Sequence, residues 1–241
     1  MRTNKVGPAQ ETLIASDAVW GISMRSIGSW LAIALLGMFL AAKVYAAPLT
    51  DNERVTVWDV WLAEGVSGPM TPKSEDAVIL FLEGGQIRTV DRTGNASIAI
   101  RHFGDAVFVL KGTQSIDTLI SGGPAHEVVI ALKDHPESAA GNLSGYPPAF
   151  PREGSVKVLD DSRFTAWHYS WTKGVPTGMH FHDKDFVVAF RFDSMQSIST
   201  ADGASHVNPV KAGDVLFLKR GLTHSEGLTT DRQSAVYLEL K

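Results

Sequence analysis

The sequence predicts an all-β protein made of two small barrels. Three observations carry that prediction. Short runs rich in aromatic and β-branched residues ("RFTAWHYSW", "FVVAFRF", "AVILFL", "DAVFVL", "DVLFL", "AVYLEL") recur between turn clusters such as "TADGAS" and "DRTGNA". No stretch in either half sustains a helical period beyond two turns. The second half also repeats the first.

A shift of 109 residues, without a gap, lays "RVTVWDVWLAEGVSGPM" (54–70) on "RFTAWHYSWTKGVPTGM" (163–179), and "GDAVFVLKG" (104–112) on "GDVLFLKRG" (213–221). Arg54, Trp58, Gly65, Met70, Phe81, Gly104, Asp105, Phe108 and Gly112 each meet an identical residue. Residues 54–122 give about fifteen identities, against roughly four expected from composition. Between the copies, "DHPESAAGNLSGYPPAFPREG" has the proline, glycine and serine content of a linker over the surface. The expected organisation is a leader over 1–46, a first barrel over 47–133, a linker over 134–154 and a second barrel over 155–241. Copies this short are expected to share an interface.

The leader contains "MRSIGSWLAIALLGMFLAAKVYAAP" (24–48), with a positive start at Arg25, an apolar stretch from Ile27 to Ala42 and small residues before a cut after Ala46. It has the pattern of an export signal with Met24 as the true start; a retained membrane anchor is the alternative. Export places the mature chain in the periplasm or outside the cell. The sequence has no cysteine, so no disulfide framework and no thiolate ligand is available. A net charge of -4 and no run of lysine or arginine argue against a nucleic-acid partner. Phosphate-loop, dinucleotide-binding and nucleophile-elbow motifs are absent from the sequence.

The chemistry-bearing residues lie in the second copy. In "GVPTGMHFHDK", His180 and His182 stand two apart, so on a strand both project from one face, about 6.5 Å apart at the backbone. His224 follows the strand "DVLFL" and a tight "KRG" turn. Three imidazoles on one copy point to a divalent metal. The first copy has Thr71, Lys73 and Ser115 at the three positions, and so is expected to be structural.

These residues resemble the cupin family. Gly174, His180 and His182 match the first half of its first motif, and Gly213, Gly221 and His224 match its second. The resemblance implies a bicupin of two jelly-roll barrels, the first degenerate. In the second, His180, His182 and His224 would hold one ion of iron, manganese, zinc, nickel or copper. The family's glutamate would fall on Phe186 or Val187, its proline on Lys219 and its trailing asparagine on Leu228, so a three-histidine site is expected. The activity implied is that of a metal-dependent enzyme (an oxygenase, isomerase or lyase) on a small organic acid; a non-catalytic binding or sensing protein is the alternative.

Around the site, Trp167 and Tyr169, with Trp171, alternate along one strand and are candidates for a substrate pocket or for core. Arg191 and Lys219 are candidate anchors for a substrate carboxylate. His168 is read as a base near the metal or a surface residue, and Glu226 as a solvated loop carboxylate or a proton acceptor at the mouth. His102, His126, His135 and His206 receive no role. The expected partner is a small molecule, with a homodimer left open and the membrane met only through the signal segment.

Overall fold

The computed structural model describes residues 47–72, 74–134, 141 and 145–241. The leader, most of the signal segment and Lys73 lie outside the described residues. The first copy contains β1 (Thr50–Asp51), β2 (Val55–Leu62), β3 (Ser67–Met70), β4 (Asp76–Glu83), β5 (Gly85–Asp91), β6 (Ala96–Arg101), β7 (Ala106–Val109), β8 (Ser115–Ser121) and β9 (Ala125–Leu132). The second contains β10 (Val156–Asp160), β11 (Phe164–Trp171), β12 (His180–Phe181), β13 (Asp185–Phe190), β14 (Ser194–Thr200), β15 (Ser205–Val210), β16 (Val215–Leu218), β17 (Thr223–Leu228) and β18 (Gln233–Leu240). Every pairing between these strands is antiparallel.

The repeat seen in the sequence is a repeat of topology. The first copy has sheets ordered β1-β2-β9-β4-β7 and β3-β8-β5-β6; the second has β10-β11-β18-β13-β16 and β12-β17-β14-β15. Each copy is therefore two facing sheets with crossover connections, as in a jelly roll.

The continuous apolar runs "AVILFL" and "FVVAF" sit on strands buried on both faces. Alternation sends successive residues to different cores. From β4, Ala77, Ile79 and Phe81 enter the first barrel's interior, while Val78, Leu80 and Leu82 join a core shared by both barrels. From β13, Phe186, Val188 and Phe190 enter the second barrel's interior, and Val187 and Ala189 join the shared core. The five-stranded sheets thus pack back to back.

Repeat-related ion pairs cross the same interface. Arg54 Nε lies 3.6 Å from Asp185 Oδ2, and its counterpart Arg163 is paired with Asp76, the counterpart of Asp185. Arg163 also donates to the carbonyls of Leu132 and Lys133 at the end of β9. The arginines that the repeat holds identical therefore bind each copy to the other.

The segment read as a surface linker is not all on the surface. Phe181 donates its N–H to the Pro147 carbonyl and accepts from Ala149 N–H, and Ala149 and Phe150 are buried in the second barrel's core. The prolines left a stretch without a helical or strand period, and the aromatic partners of Phe150 come from β11, β13 and β18.

A core shared by both copies should make them unfold together. Phe164, fully buried within it, should cost about 3 to 5 kcal/mol when replaced by alanine. Calorimetry of wild type and Phe164→Ala should show one transition in each, displaced to lower temperature in the variant; two resolved transitions in the wild type would contradict the shared core.

Candidate metal centre

Strand pairing brings the three histidines together. His180 on β12 stands directly opposite His224 on β17. His182, just past β12, continues the pairing by donating its N–H to the Leu222 carbonyl. The reversal between them is tight: Gly221 has a φ of 89° and donates to the His182 carbonyl at 2.7 Å. A side chain would strain that conformation, which is why glycine follows "KR" at this point.

Two residues past His224, Glu226 shares its face of β17, and side chains two apart on a strand point the same way. It is buried, 5% exposed, rather than a solvated loop carboxylate. His180, His182, His224 and Glu226 each offer a ligand atom, all within 4.8 Å of one another. The donor set is therefore three imidazoles and one carboxylate, not three imidazoles alone.

The hydrogen bonds leave these atoms free for an ion. His180 Nδ1 donates to the Gly178 carbonyl at 2.9 Å, and its Nε2 is buried without a partner. His182 Nε2 and His224 Nε2 lie 3.1 Å apart, close to the separation of about 3 Å between adjacent ligands at usual metal–nitrogen lengths. Glu226 Oε1 lies 3.4 Å from His224 Nε2. Its Oε2 is engaged elsewhere, accepting from Arg152 Nη2 at 3.1 Å and Trp171 Nε1 at 3.2 Å. That arrangement presents one carboxylate oxygen to the ion.

Burial favours the neutral form of His180 and His182, the form that binds metal. Desolvation lowers the pKa of His180, and carries that of His182 down to about 3 with help from neighbouring His224. Burial alone would raise the Glu226 pKa; the Arg152 charge and the bond to His224 overcome it and hold the carboxylate ionised. Arg152 is itself nearly buried, with its guanidinium 3.9 Å from the Tyr169 ring centroid and 4.7 Å from that of Phe150. It also donates to the Tyr237 hydroxyl at 3.4 Å.

Other sequence candidates lie as follows. Trp167 is buried against Phe150 and donates to Glu239 at 2.8 Å. Tyr169, half-buried, lines a cavity of about 370 Å3 with Arg152, Thr172, Thr177 and Gly178. Arg191 places its guanidinium over Phe103 and Phe192, 4.0 Å from Glu83. Lys219 is exposed. His168 meets Phe103 of the first barrel edge-on at 5.1 Å. Asp185, one residue before the family's glutamate position and not among those candidates, is occupied by Arg54 and by the Arg220 N–H. Phe186, at a position of the family's glutamate, packs edge-on to His182 at 5.0 Å.

At the level of sequence, neither a protein-family model nor a curated protein matches the chain. Solved structures do match in fold. One is a cupin 2 conserved barrel domain protein from Leptotrichia buccalis, 14% identical over 86% of this chain and 94% of that one, with a TM-score of 0.52. Another is the protein Ylba from E. coli, 11% identical over 85% and 88%, with a TM-score of 0.58. The oxalate decarboxylase of Bacillus subtilis is 13% identical over 79% and 69%, with a TM-score of 0.54. The fold is that of a bicupin.

Among the described residues, the metal-ligand cluster of this bicupin-like fold lies in the second barrel alone. In the first barrel, Thr71 Oγ1 accepts from the Ser115 N–H at 2.9 Å, so the counterparts of His180 and His224 bind each other. The repeat places Asp117 at the position of Glu226. Asp117 and Glu127 are buried, and one oxygen of each has no partner. Burial raises both pKa values, that of Glu127 to about 8 with Asp117 adding to the shift.

Arg152→Gln should weaken divalent-metal affinity about ten- to a hundredfold, because it frees the carboxylate that the arginine orients. Competition titration against a chromogenic chelator measures this, and an unchanged affinity would remove Arg152 from the centre. For Glu127 the sign of the pH effect is fixed by its raised pKa. Its protonated form contributes stability fully present below about pH 4.5 and lost as pH rises through about 8. Glu127→Gln should therefore gain stability relative to wild type across that interval, at most about 1.4 kcal/mol per pH unit. Urea titrations at several pH values test it; a pH-independent difference would contradict it.

Proposed function

We propose that the protein is an exported, metal-dependent bicupin enzyme acting on a small organic acid at the second barrel. The observation that carries this reading is the buried three-histidine, one-glutamate donor set with Arg152 bound to its carboxylate. The pattern of residues 24–48 supports export to the periplasm or beyond the cell.

The chain's own residues have defined parts in this reading. His180, His182, His224 and Glu226 would hold one divalent ion, and for an ion that takes six ligands, such as manganese, four protein ligands leave positions for water or substrate. When bound, the ion supplies Lewis-acid polarisation of a substrate oxygen, or oxygen activation if it is iron. Arg152 gives the acid its counter-charge. Its Nε and Nη1 are buried without a partner, two separate donors, each able to serve one oxygen of an anion. Tyr169 and Thr177 line the space beside it. The apolar wall of Phe186, Trp171 and Tyr237 excludes water behind the ligands.

Elemental analysis of purified protein should find about one divalent ion per chain, lost in His180→Ala. Protein loaded separately with manganese, iron and zinc should then be offered a panel of small carboxylic acids headed by oxalate, the acid in the name of one structural neighbour. Turnover abolished by His180→Ala supports an enzyme. A bound acid that is never converted would support a binding protein instead, and a metal-free wild type would end both readings.

A further inference from the structure

The first barrel has kept polar groups where a purely structural core would have none. Inward positions of β5, β6 and β8 carry Thr89, Ser97, Arg101, Ser115 and Asp117, and with Val107 and Val109 of β7 they line a cavity of about 320 Å3. That volume is at the small end of ligand pockets. Behind Asp117 lies a second void of about 10 Å3, bounded also by Thr71 and Glu127. Asp117 Oδ1 and Glu127 Oε1 lie buried without a partner, on residues 8% and 3% exposed. Thr89 bonds the Asp117 carboxyl.

Unpaired buried acids of this kind cost several kcal/mol. Apolar residues of similar size would make a more stable core. The balancing charge is in the same cavity: Arg101 lowers the pKa of both carboxyls through space. Its guanidinium sits 5.5 Å from the Phe81 ring centroid, and among the described residues no ion pair engages it. A cavity with Asp117 at its floor, Arg101 on its wall and valines between is complementary to a molecule with both charges and a short apolar body.

We propose that the interior of the first barrel is a second binding site, for a small zwitterion of the amino-acid type, with its ammonium at Asp117 and its carboxylate at Arg101. Val107, Val109 and Leu110 take the aliphatic side chain. The site is separate from the metal centre, whose ligands all belong to the second barrel.

Isothermal titration of the full chain with leucine, isoamylamine and isocaproate tests the assignment, the last two each keeping one of leucine's charges. Leucine should bind, and each analogue about tenfold or more weaker, since a lost charged hydrogen bond is worth that much. Asp117→Asn should weaken leucine by a similar factor, as should Arg101→Gln, a half-buried position that tests the site if the aspartate variant fails to fold. His224→Ala should leave leucine binding unchanged. No heat with leucine, alanine or glycine overturns the proposal, as does isoamylamine binding as tightly as leucine, or a leucine affinity lost in His224→Ala and kept in Asp117→Asn.

Discussion

The back-to-back burial of the two five-stranded sheets is the constraint on which the rest of the molecule depends. Each inner strand must satisfy two cores at once, its own barrel's and the shared one. A strand's side-chain period of two makes this achievable with an unbroken apolar run, and a one-residue slip would exchange the two sets. The register of β13 and β18 then decides what stands behind the metal ligands. Val187 and Leu238 face the first barrel, so Phe186 and Tyr237 must face His182 and Arg152. With no cysteine in the chain, this packing and the reciprocal pairs of Arg54 with Asp185 and Arg163 with Asp76 hold the copies in place.

Much of this was legible in the sequence because it is local or periodic. The strands announce themselves by composition, the two copies by their ungapped shift, and the histidines by a spacing that only a strand could bring to one face. Glu226 was less legible, although it stands two residues from His224 and so on the same face. Its burial depends on Arg152, which comes from 74 residues earlier in the chain, and nothing near Glu226 announces that partner. Arg152 itself lies in a proline-rich stretch with no period to assign. Comparison with the family pattern directed attention to positions 186 and 187 for an acid, whereas the structure supplies one from β17.

The two copies show how far one scaffold can diverge inside while its outer contacts stay fixed. Arg54 and Arg163 hold equivalent places and make equivalent pairs. The interiors differ in their charge logic. In the second barrel a buried carboxylate is matched by a buried guanidinium and accompanied by His180 and His182, whose pKa values burial lowers. In the first, Asp117 shares a cavity with Arg101 and a smaller void with Glu127, and burial raises the pKa values of both carboxyls instead.

That difference bears on what the second barrel attracts. Glu226 and Arg152 cancel, and imidazoles bind metal in their neutral form, so the donor set of a loaded centre is close to neutral overall. A divalent ion placed among these residues leaves the whole centre about two units positive. In a low-dielectric interior an unmatched charge of that size is costly, and hydroxide or an anionic substrate is the species that relieves it. Arg152 is thus used twice over. Through Nη2 it makes a buried Glu226 tolerable, and in the proposed function its unpartnered Nε and Nη1 would donate to the anion. A lysine could neutralise the glutamate but would lack the guanidinium's further donors, so in the proposed function the charge balance and the recognition of an acid rest on the same side chain.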